Sequence, residues 1–338
     1  MRFGVLGCAD IAARRFLPAL ARVAGAEPVA LASRSPSRAR AFAERFGGAP
    51  VTGYQRLLER DDVDAVYVPL PAGLRAPWIE RALLAGKHVF AEKALATGGE
   101  EVRRLVEPAR AGKLTLMENF AFVHHRQHAV VRRLLAEGEI GEVHEFRAVF
   151  AVPPRPPGDI RLRPELGGGA LLDVGVYPIR AALHFLGTNL KVSDAVLRYD
   201  DTLGVDVIGG TRLAAPDLDV RLLFGMTTRY ASGYQFLGSR GSLTVEQVFT
   251  TPPEHRPVVL LERGGRLERR TVAPDDQWGN ILRHFTDVVT GAAPVAEDAS
   301  AGELLVRQAE LADEVRAQGK PRSALSAPDG TAFHTPGR

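Results

Sequence analysis

The chain carries a single cysteine, Cys8, among 338 residues. One thiol excludes an intramolecular disulfide and any cysteine-based metal cluster. No apolar run approaches the roughly 18 residues that a membrane-spanning helix needs. The N-terminus enters a strand-like run without the basic start and long apolar core of a signal peptide. A cytoplasmic protein with no membrane contact is expected. Charge is not concentrated either. The formal net charge is +3 and the arginines are scattered, whereas a nucleic-acid face needs a basic stripe, so no nucleic-acid partner is expected. There is no Gly-x-Ser-x-Gly nucleophile motif and no internal repeat. His124, His125 and His128 lack a carboxylate at ligand spacing, so no metal is expected.

What is present is an ordinary globular balance, 45% hydrophobic and 25% charged, with length enough for two cores. Up to about residue 120, short apolar runs alternate with helical patterns. Strands are predicted at Arg2–Leu6, Pro28–Ala32, Asp64–Pro69, His88–Ala91 and Leu114–Glu118, with helices between them. That alternation implies a parallel sheet with ligands at the carboxyl ends of its strands. Residues 121–320 read differently. A helix at His128–Glu137 and an alternating strand at Val143–Val152 lead through a Pro-rich loop to a glycine triplet, Gly167–Gly169, and another helix. Strands of antiparallel character follow from Asp194 to Val272, then helices at Ile281–Thr290 and Ala299–Ala317. Residues 321–338 form a Pro-, Ser- and Gly-rich tail expected to be flexible.

Gly7-Cys8-Ala9-Asp10-Ile11-Ala12 sits where a dinucleotide fingerprint belongs, between the first strand and the first helix. Gly7 suits the tight turn, but Ala9 and Ala12 replace the later glycines, so a purely structural strand–turn–helix stays open. The second strand ends in Ser33-Arg34-Ser35, with Arg38 one turn on. An acidic residue here would hold a ribose 2′-hydroxyl; hydroxyls and guanidinium suit a 2′-phosphate, which favours NADPH.

Two segments about 80 residues apart carry the chemistry. Lys93, in Val89-Phe90-Ala91-Glu92-Lys93, lies just past an apolar strand, where it can protonate a developing alkoxide. Asp173 and Tyr177 are four apart and share a face if helical. Asp173 suits orientation of Lys93 or a hold on a substrate hydroxyl, and Tyr177 suits a second hydrogen bond to the reacting oxygen. Capping and packing roles for the pair stay open. The glycine triplet permits close backbone approach to a cofactor or substrate.

Together these residues resemble the Gfo/Idh/MocA oxidoreductases over residues 2–318. The resemblance implies an α/β protein, with an N-terminal Rossmann doubly wound parallel sheet and a C-terminal α+β domain built on a large open mixed or antiparallel sheet. The family pattern has a Glu-Lys-Pro motif and an Asp-x-x-x-His pair. Here Ala94 replaces the proline and Tyr177 the histidine, which looks like the dihydrodiol dehydrogenase and sugar ketoreductase branch. Arg75 stands where many relatives have histidine. Met117-Glu118-Asn119-Phe120, Pro156-x-Gly158-Asp159-Ile160-Arg161, Gly167–Pro178, Phe224-Gly225-Met226 and Val248-Phe249-Thr250-x-Pro252-Pro253 look like the nucleotide-hexose 3-ketoreductases of deoxysugar biosynthesis. The resemblance implies NADPH/NADP⁺ bound by Gly7, Cys8, Ala9, Asp10, Ile11, Ser33, Arg34, Ser35, Arg38, Leu70, Pro71, Trp78, Glu92, Lys93, Asn119 and Arg161. It also implies a nucleotide-sugar substrate, with dTDP as its nucleotide, held by Lys93, Phe120, Asp173, Tyr177 and Gln235. Lys93 would be the proton donor, Tyr177 its assistant and Asp173 the positioning group. Arg161, Arg163, Arg155 and Arg126 are the candidate partners of the diphosphate, and a homodimer or homotetramer is expected. Dehydrogenation of a free sugar, polyol or dihydrodiol, and NADPH-binding regulation, are the competing readings.

Overall fold

The computed structural model describes residues 1–321 apart from 216, 294 and 295, and the backbone alone of 296–301, 320 and 321. In the first half, six strands alternate with helices: β1 (Arg2–Leu6), α1 (Leu17–Leu20), β2 (Glu27–Ser33), α2 (Pro36–Phe46), β3 (Ala49–Thr52), α3 (Tyr54–Leu58), β4 (Ala65–Val68), α4 (Ala72–Leu84), β5 (His88–Ala91), α5 (Gly99–Ala111) and β6 (Leu116–Glu118). The sheet order is β3-β2-β1-β4-β5-β6, and its pairs are parallel. Strand order reverses between β1 and β4, which opens a crevice at their carboxyl ends. β1 feeds both faces of this layer: Phe3 and Val5 enter one apolar cluster and Leu6 the other.

One strand and one helix here escape the sequence pattern, β3 and α3. β3 is four residues long, contains Pro50, follows Gly47-Gly48 and precedes Gly53. Proline demotes a strand signal and is tolerated at a sheet edge, which is where β3 lies. A wide π turn at Ala12–Phe16 precedes α1, so Pro18 falls in the opening turn of that short helix.

The second half comprises α6 (Arg126–Ala136), β7 (Val143–Ala151), a π turn at Leu171–Gly175 running into α7 (Val176–Leu186), β8 (Lys191–Asp200), β9 (Val205–Ala215), β10 (Leu218–Gly225), β11 (Ala231–Gly238), β12 (Gly241–Glu246), β13 (Val258–Arg263), β14 (Arg266–Thr271), α8 (Gln277–Thr290), α9 (Ala296–Gln318) and β15 (Lys320–Pro321). The nine strands run β14-β13-β12-β11-β7-β10-β9-β8-β15. β10 pairs with β7, and β15 with β8, in parallel; the other pairs are antiparallel. The sheet's inner face packs on α7, with Phe146, Phe150, Phe224 and Phe236 buried. The tail predicted from the sequence lies, beyond residue 321, outside the described residues.

The two layers are joined by more than the connection at residue 120. α8 returns to the first domain, where Ile281, Leu282 and Phe285 are buried in the cluster of Phe3, Phe16 and Phe90. The Phe285 ring lies 5.7 Å from Phe3 and 5.4 Å from Phe90. α9 packs on both α5 and α7. Phe285→Ala should therefore destabilise the protein by about 3–5 kcal/mol. The check is the denaturant midpoint, which should fall without a change in slope.

Candidate active site

A cleft of about 450 Å³ runs between the domains, lined from the first by Ala9, Asp10, Ile11, Leu70, Pro71, Glu92, Lys93 and Asn119, and from the second by Arg155, Arg161, Asp173 and Tyr177. The turn after β1 is fixed by Gly7, whose φ is +125°. Its N–H donates to Ala32 O (3.1 Å). A side chain there would be both strained and pressed on Leu70. Gly7 and Cys8 thus lie behind the lining. Cys8 is buried with Sγ 3.7 Å from Ala32 O, and burial pushes its thiol up to about 11.

An adjoining recess of about 910 Å³ is lined by Arg34, Tyr54, Arg56, Leu70, Pro71, Trp78 and Arg163. Trp78 stands edge-on to Tyr54 at 5.1 Å. Of the predicted 2′-phosphate group, Arg34 lines this recess. Ser33 and Ser35 shape the loop instead: Ser33 Oγ accepts from Ser35 N–H (3.1 Å), and Ser35 Oγ caps α2 by accepting from Arg38 N–H (3.4 Å).

Lys93 and Asp173 meet across the domains. Lys93 Nζ donates to Asp173 O (2.5 Å) and to Asp173 Oδ1 (3.0 Å). The wide turn at Leu171–Gly175 makes this possible by turning both a carbonyl and a carboxylate of one residue toward the lysine. Two guanidinium groups complete the cluster, Arg155 on Oδ2 (3.1 Å) and Arg161 on Oδ1 (3.1 Å). Burial opposes ionisation of Asp173, but Lys93, Arg161 and Arg155 hold its carboxyl well below the usual range. An ammonium has three donors; with two on Asp173, one is left for an oxygen in the cleft.

Tyr177, the second residue of α7, lines the same cleft, its ring 5.2 Å from Lys93 Nζ. Phe120, Phe150 and Phe249 surround the ring at 5.3, 5.0 and 5.6 Å. Burial raises its phenol far above the ordinary value, reinforced by the charges of Glu92 and Asp173. It is therefore a neutral donor, and its hydroxyl has no hydrogen-bond partner among the described residues.

Glu92 is buried, accepting from Tyr67 Oη (2.8 Å) and Asn119 Nδ2 (2.7 Å). Asn119 Oδ1 is left unpaired and buried at the cleft. Arg75 is buried beneath this floor and donates to Leu70 O and Ala94 O. The Lys93–Ala94 peptide is cis.

Two sequence expectations need correction. Phe120 does not line the cleft; it is fully buried behind Tyr177, edge-on to its ring. Gln235 lies on the outer face of the nine-stranded sheet, donating to Thr244 Oγ1 (3.1 Å), because its neighbours Tyr234 and Phe236 point into the core. Of the glycine triplet, Gly167 and Gly168 line the cleft, and all three are also packed on protein: a side chain at Gly168 would strike Arg161 O, one at Gly167 the backbone of Gly73, and one at Gly169 the Asp206 carboxylate. The histidines serve packing and caps. His125 Nδ1 accepts from Gln127 N–H (3.2 Å), His128 bonds Tyr234 Oη (2.8 Å), and burial pushes His124 down to about 3.

Sequence reasoning missed the far wall, Phe150, Tyr230, Phe249 and Trp278, and the basic pair Arg14 and Arg15 on the first helical segment. Phe249 stood in one of the family-like strings and the two arginines stood side by side; Phe150, Tyr230 and Trp278 carried no such signal.

The first 120 residues match the model of the oxidoreductase family with an NAD-binding Rossmann fold, and residues 128–249 match the GFO/IDH/MocA C-terminal domain. The chain belongs to the Gfo/Idh/MocA oxidoreductase family. Among Gfo/Idh/MocA members, it is 51% identical over 318 residues to a dTDP-3,4-didehydro-2,6-dideoxy-alpha-D-glucose 3-reductase of Actinomadura kijaniata, covering 94% of this chain and 95% of the relative. It is 32% identical over 298 residues to a D-xylose 1-dehydrogenase (NADP(+)) of Haloferax volcanii, covering 87% and 91%. A solved 3-ketoreductase from Actinomadura kijaniata, in complex with NADP and TDP-benzene, superposes with a TM-score of 0.91 at 49% identity, covering 95% of this chain and 98% of that one. Solved variants of that Gfo/Idh/MocA enzyme replace one lysine by alanine or glutamate and one tyrosine by phenylalanine.

The cation cluster makes a pH prediction. Asp173 has a depressed folded value, so its stabilisation is complete above the unfolded value of about 3.9 and fades as pH falls toward the folded value. Asp173→Asn leaves three cations facing one neutral amide and should cost about 3–5 kcal/mol at neutral pH. Denaturant unfolding at several pH values should show that difference constant down to about pH 5 and shrinking below about pH 4.

Proposed function

We propose that this protein reduces the C-3 ketone of a dTDP-linked keto-deoxyhexose with NADPH, the reaction class of deoxysugar assembly. The observation that carries the reading is the convergence, in one cleft, of the Lys93 ammonium and the Tyr177 hydroxyl from different domains. Lys93 and Tyr177 also have the same sequence spacing as the lysine and tyrosine replaced in the solved relative.

The residues fit NADPH. The recess beside the cleft offers Arg34 and no acidic side chain at the end of β2, and Trp78 and Tyr54 give it an aromatic wall. The unpaired Asn119 Oδ1 offers an acceptor deeper in. NADPH supplies the hydride. The protein supplies orientation and a proton. Lys93 Nζ–H passes its proton to the ketone oxygen as the carbon gains hydride, and the Tyr177 hydroxyl donates a second hydrogen bond to that oxygen. Asp173 holds Lys93 toward it.

The diphosphate needs cations that are not already satisfied. Arg155 and Arg161 are engaged by Asp173, Arg163 by Glu165 and Arg126 by Asp275. Arg15 lines the cleft, is exposed, and has no ion-pair partner among the described residues. We assign the diphosphate to Arg15. The outer face of the nine-stranded sheet, where Leu223 is exposed among ion-paired arginines, is the surface we assign to homodimer or homotetramer pairing. No helix among the described residues is long and apolar enough to cross a membrane, consistent with action in the cytoplasm.

Two tests follow. NADPH oxidation by a dTDP-linked 3-keto-6-deoxyhexose should proceed much faster than NADH oxidation; Lys93→Ala should lower kcat by about 10²–10⁴-fold and Tyr177→Phe by less. Wild-type turnover in Lys93→Ala would overturn the assignment. Arg15→Ala should raise KM for the nucleotide sugar about tenfold or more with kcat little changed, the signature of lost uniform binding, while KM for NADPH stays put.

A further inference from the structure

Below the cleft lies a second polar group that the reaction itself does not use. Glu118, the last residue of β6, is 4% exposed. Its Oε1 accepts from the N–H of Leu95 (2.7 Å), two residues beyond Lys93. Its Oε2 accepts from Gln308 Nε2 (2.9 Å) on α9. Gln308 Oε1 in turn accepts from Arg180 Nη1 (3.4 Å) on α7, one turn beyond Tyr177. Arg180 lies over the Phe120 ring at 5.4 Å, and Phe120 packs edge-on against Tyr177. One buried carboxylate is therefore tied at one end to the loop that carries Lys93. At the other end it is tied, through Gln308, to the helix that carries Tyr177 and follows Asp173.

We propose that Glu118 is a positioning residue, which sets the Lys93 loop against α7 so that ammonium, carboxylate and phenol arrive together in the cleft. Packing alone does not call for it. Burying a carboxylate is unfavourable, and apolar groups of similar volume often fill such a site as well or better. What a hydrogen-bonded carboxylate adds is a fixed distance and direction. The other anchors of this loop do not reach α7: Arg75 holds Ala94 O from α4, Glu101 accepts from Thr97 N–H (3.0 Å), and Arg316 donates to Thr97 O (3.3 Å). Glu118 and Gln308 alone among these contacts join both catalytic segments.

The inference rests on the ketoreductase reading, and the assay separates the two: absence of wild-type turnover would refute that reading, whereas the ratios below refer to an active wild type. Glu118→Ala should lower kcat about 10–100-fold, the scale of an approximately 1 Å misplacement of a catalytic group. KM and the dissociation constant for NADPH should stay within about twofold, because the cofactor recess is untouched. Glu118→Gln keeps an oxygen for Leu95 N–H and should recover kcat to within about fivefold of wild type. Gln308→Met keeps the shape of the link without its hydrogen bonds. It should lower kcat several-fold with the same indifference in KM, and it decides the matter if Glu118→Ala does not fold. A folded Glu118→Ala or Gln308→Met protein with wild-type kcat would overturn the proposal. So would losses that follow NADPH binding rather than kcat.

Discussion

The ion pair of Lys93 with Asp173 is the constraint on which the site depends. It joins the end of a Rossmann strand to a wide turn 80 residues later in the chain, so the catalytic centre exists only when both domains are folded and docked. Three cations on one buried carboxylate form an arrangement in which each member holds the others. Asp173 stays ionised because Lys93, Arg161 and Arg155 surround it, and those cations tolerate one another because Asp173 lies among them. Asp173, which holds the proposed proton donor, also gathers the segment carrying Arg155 and Arg161 at the cleft.

Around that pair the protein spends its aromatic residues. Tyr177 stands among Phe120, Phe122, Phe150 and Phe249, which raises the cost of its ionisation and keeps it a donor. Phe3, Phe16, Tyr67 and Phe90 of the first domain form a separate cluster with Phe285 of α8, and Tyr67 reaches from that cluster to Glu92 by its hydroxyl. The floor of the site is thus bonded directly to the core, so a packing defect there is felt in the cleft.

The sequence made much of this legible, for identifiable reasons. Apolar runs gave β1, β2, β4 and β5, and Lys93, Asp173 and Tyr177 stood in strings long enough to resemble one family. β3 was hidden by Pro50 and its flanking glycines. The return of α8 to the first domain is a tertiary contact that periodicity does not encode. Gln235 could have been placed by its alternation with Tyr234 and Phe236, whereas membership of a familiar string said nothing about which face it occupies. The candidate diphosphate arginines could not be ranked from sequence, which shows guanidinium groups but not the carboxylates in reach of them. Glu118 gave no signal of its own, since its role rests on contacts with Leu95 and Gln308 made only in the folded chain.

The central claim is that Lys93 and Asp173 act as one unit, and a double-mutant cycle on kcat/KM with Lys93→Met, Asp173→Asn and the double variant tests it most directly. The account predicts strong coupling, with the double variant no slower than the poorer single one and an interaction energy of about 1–3 kcal/mol. Losses that simply multiply, leaving no coupling, would contradict it.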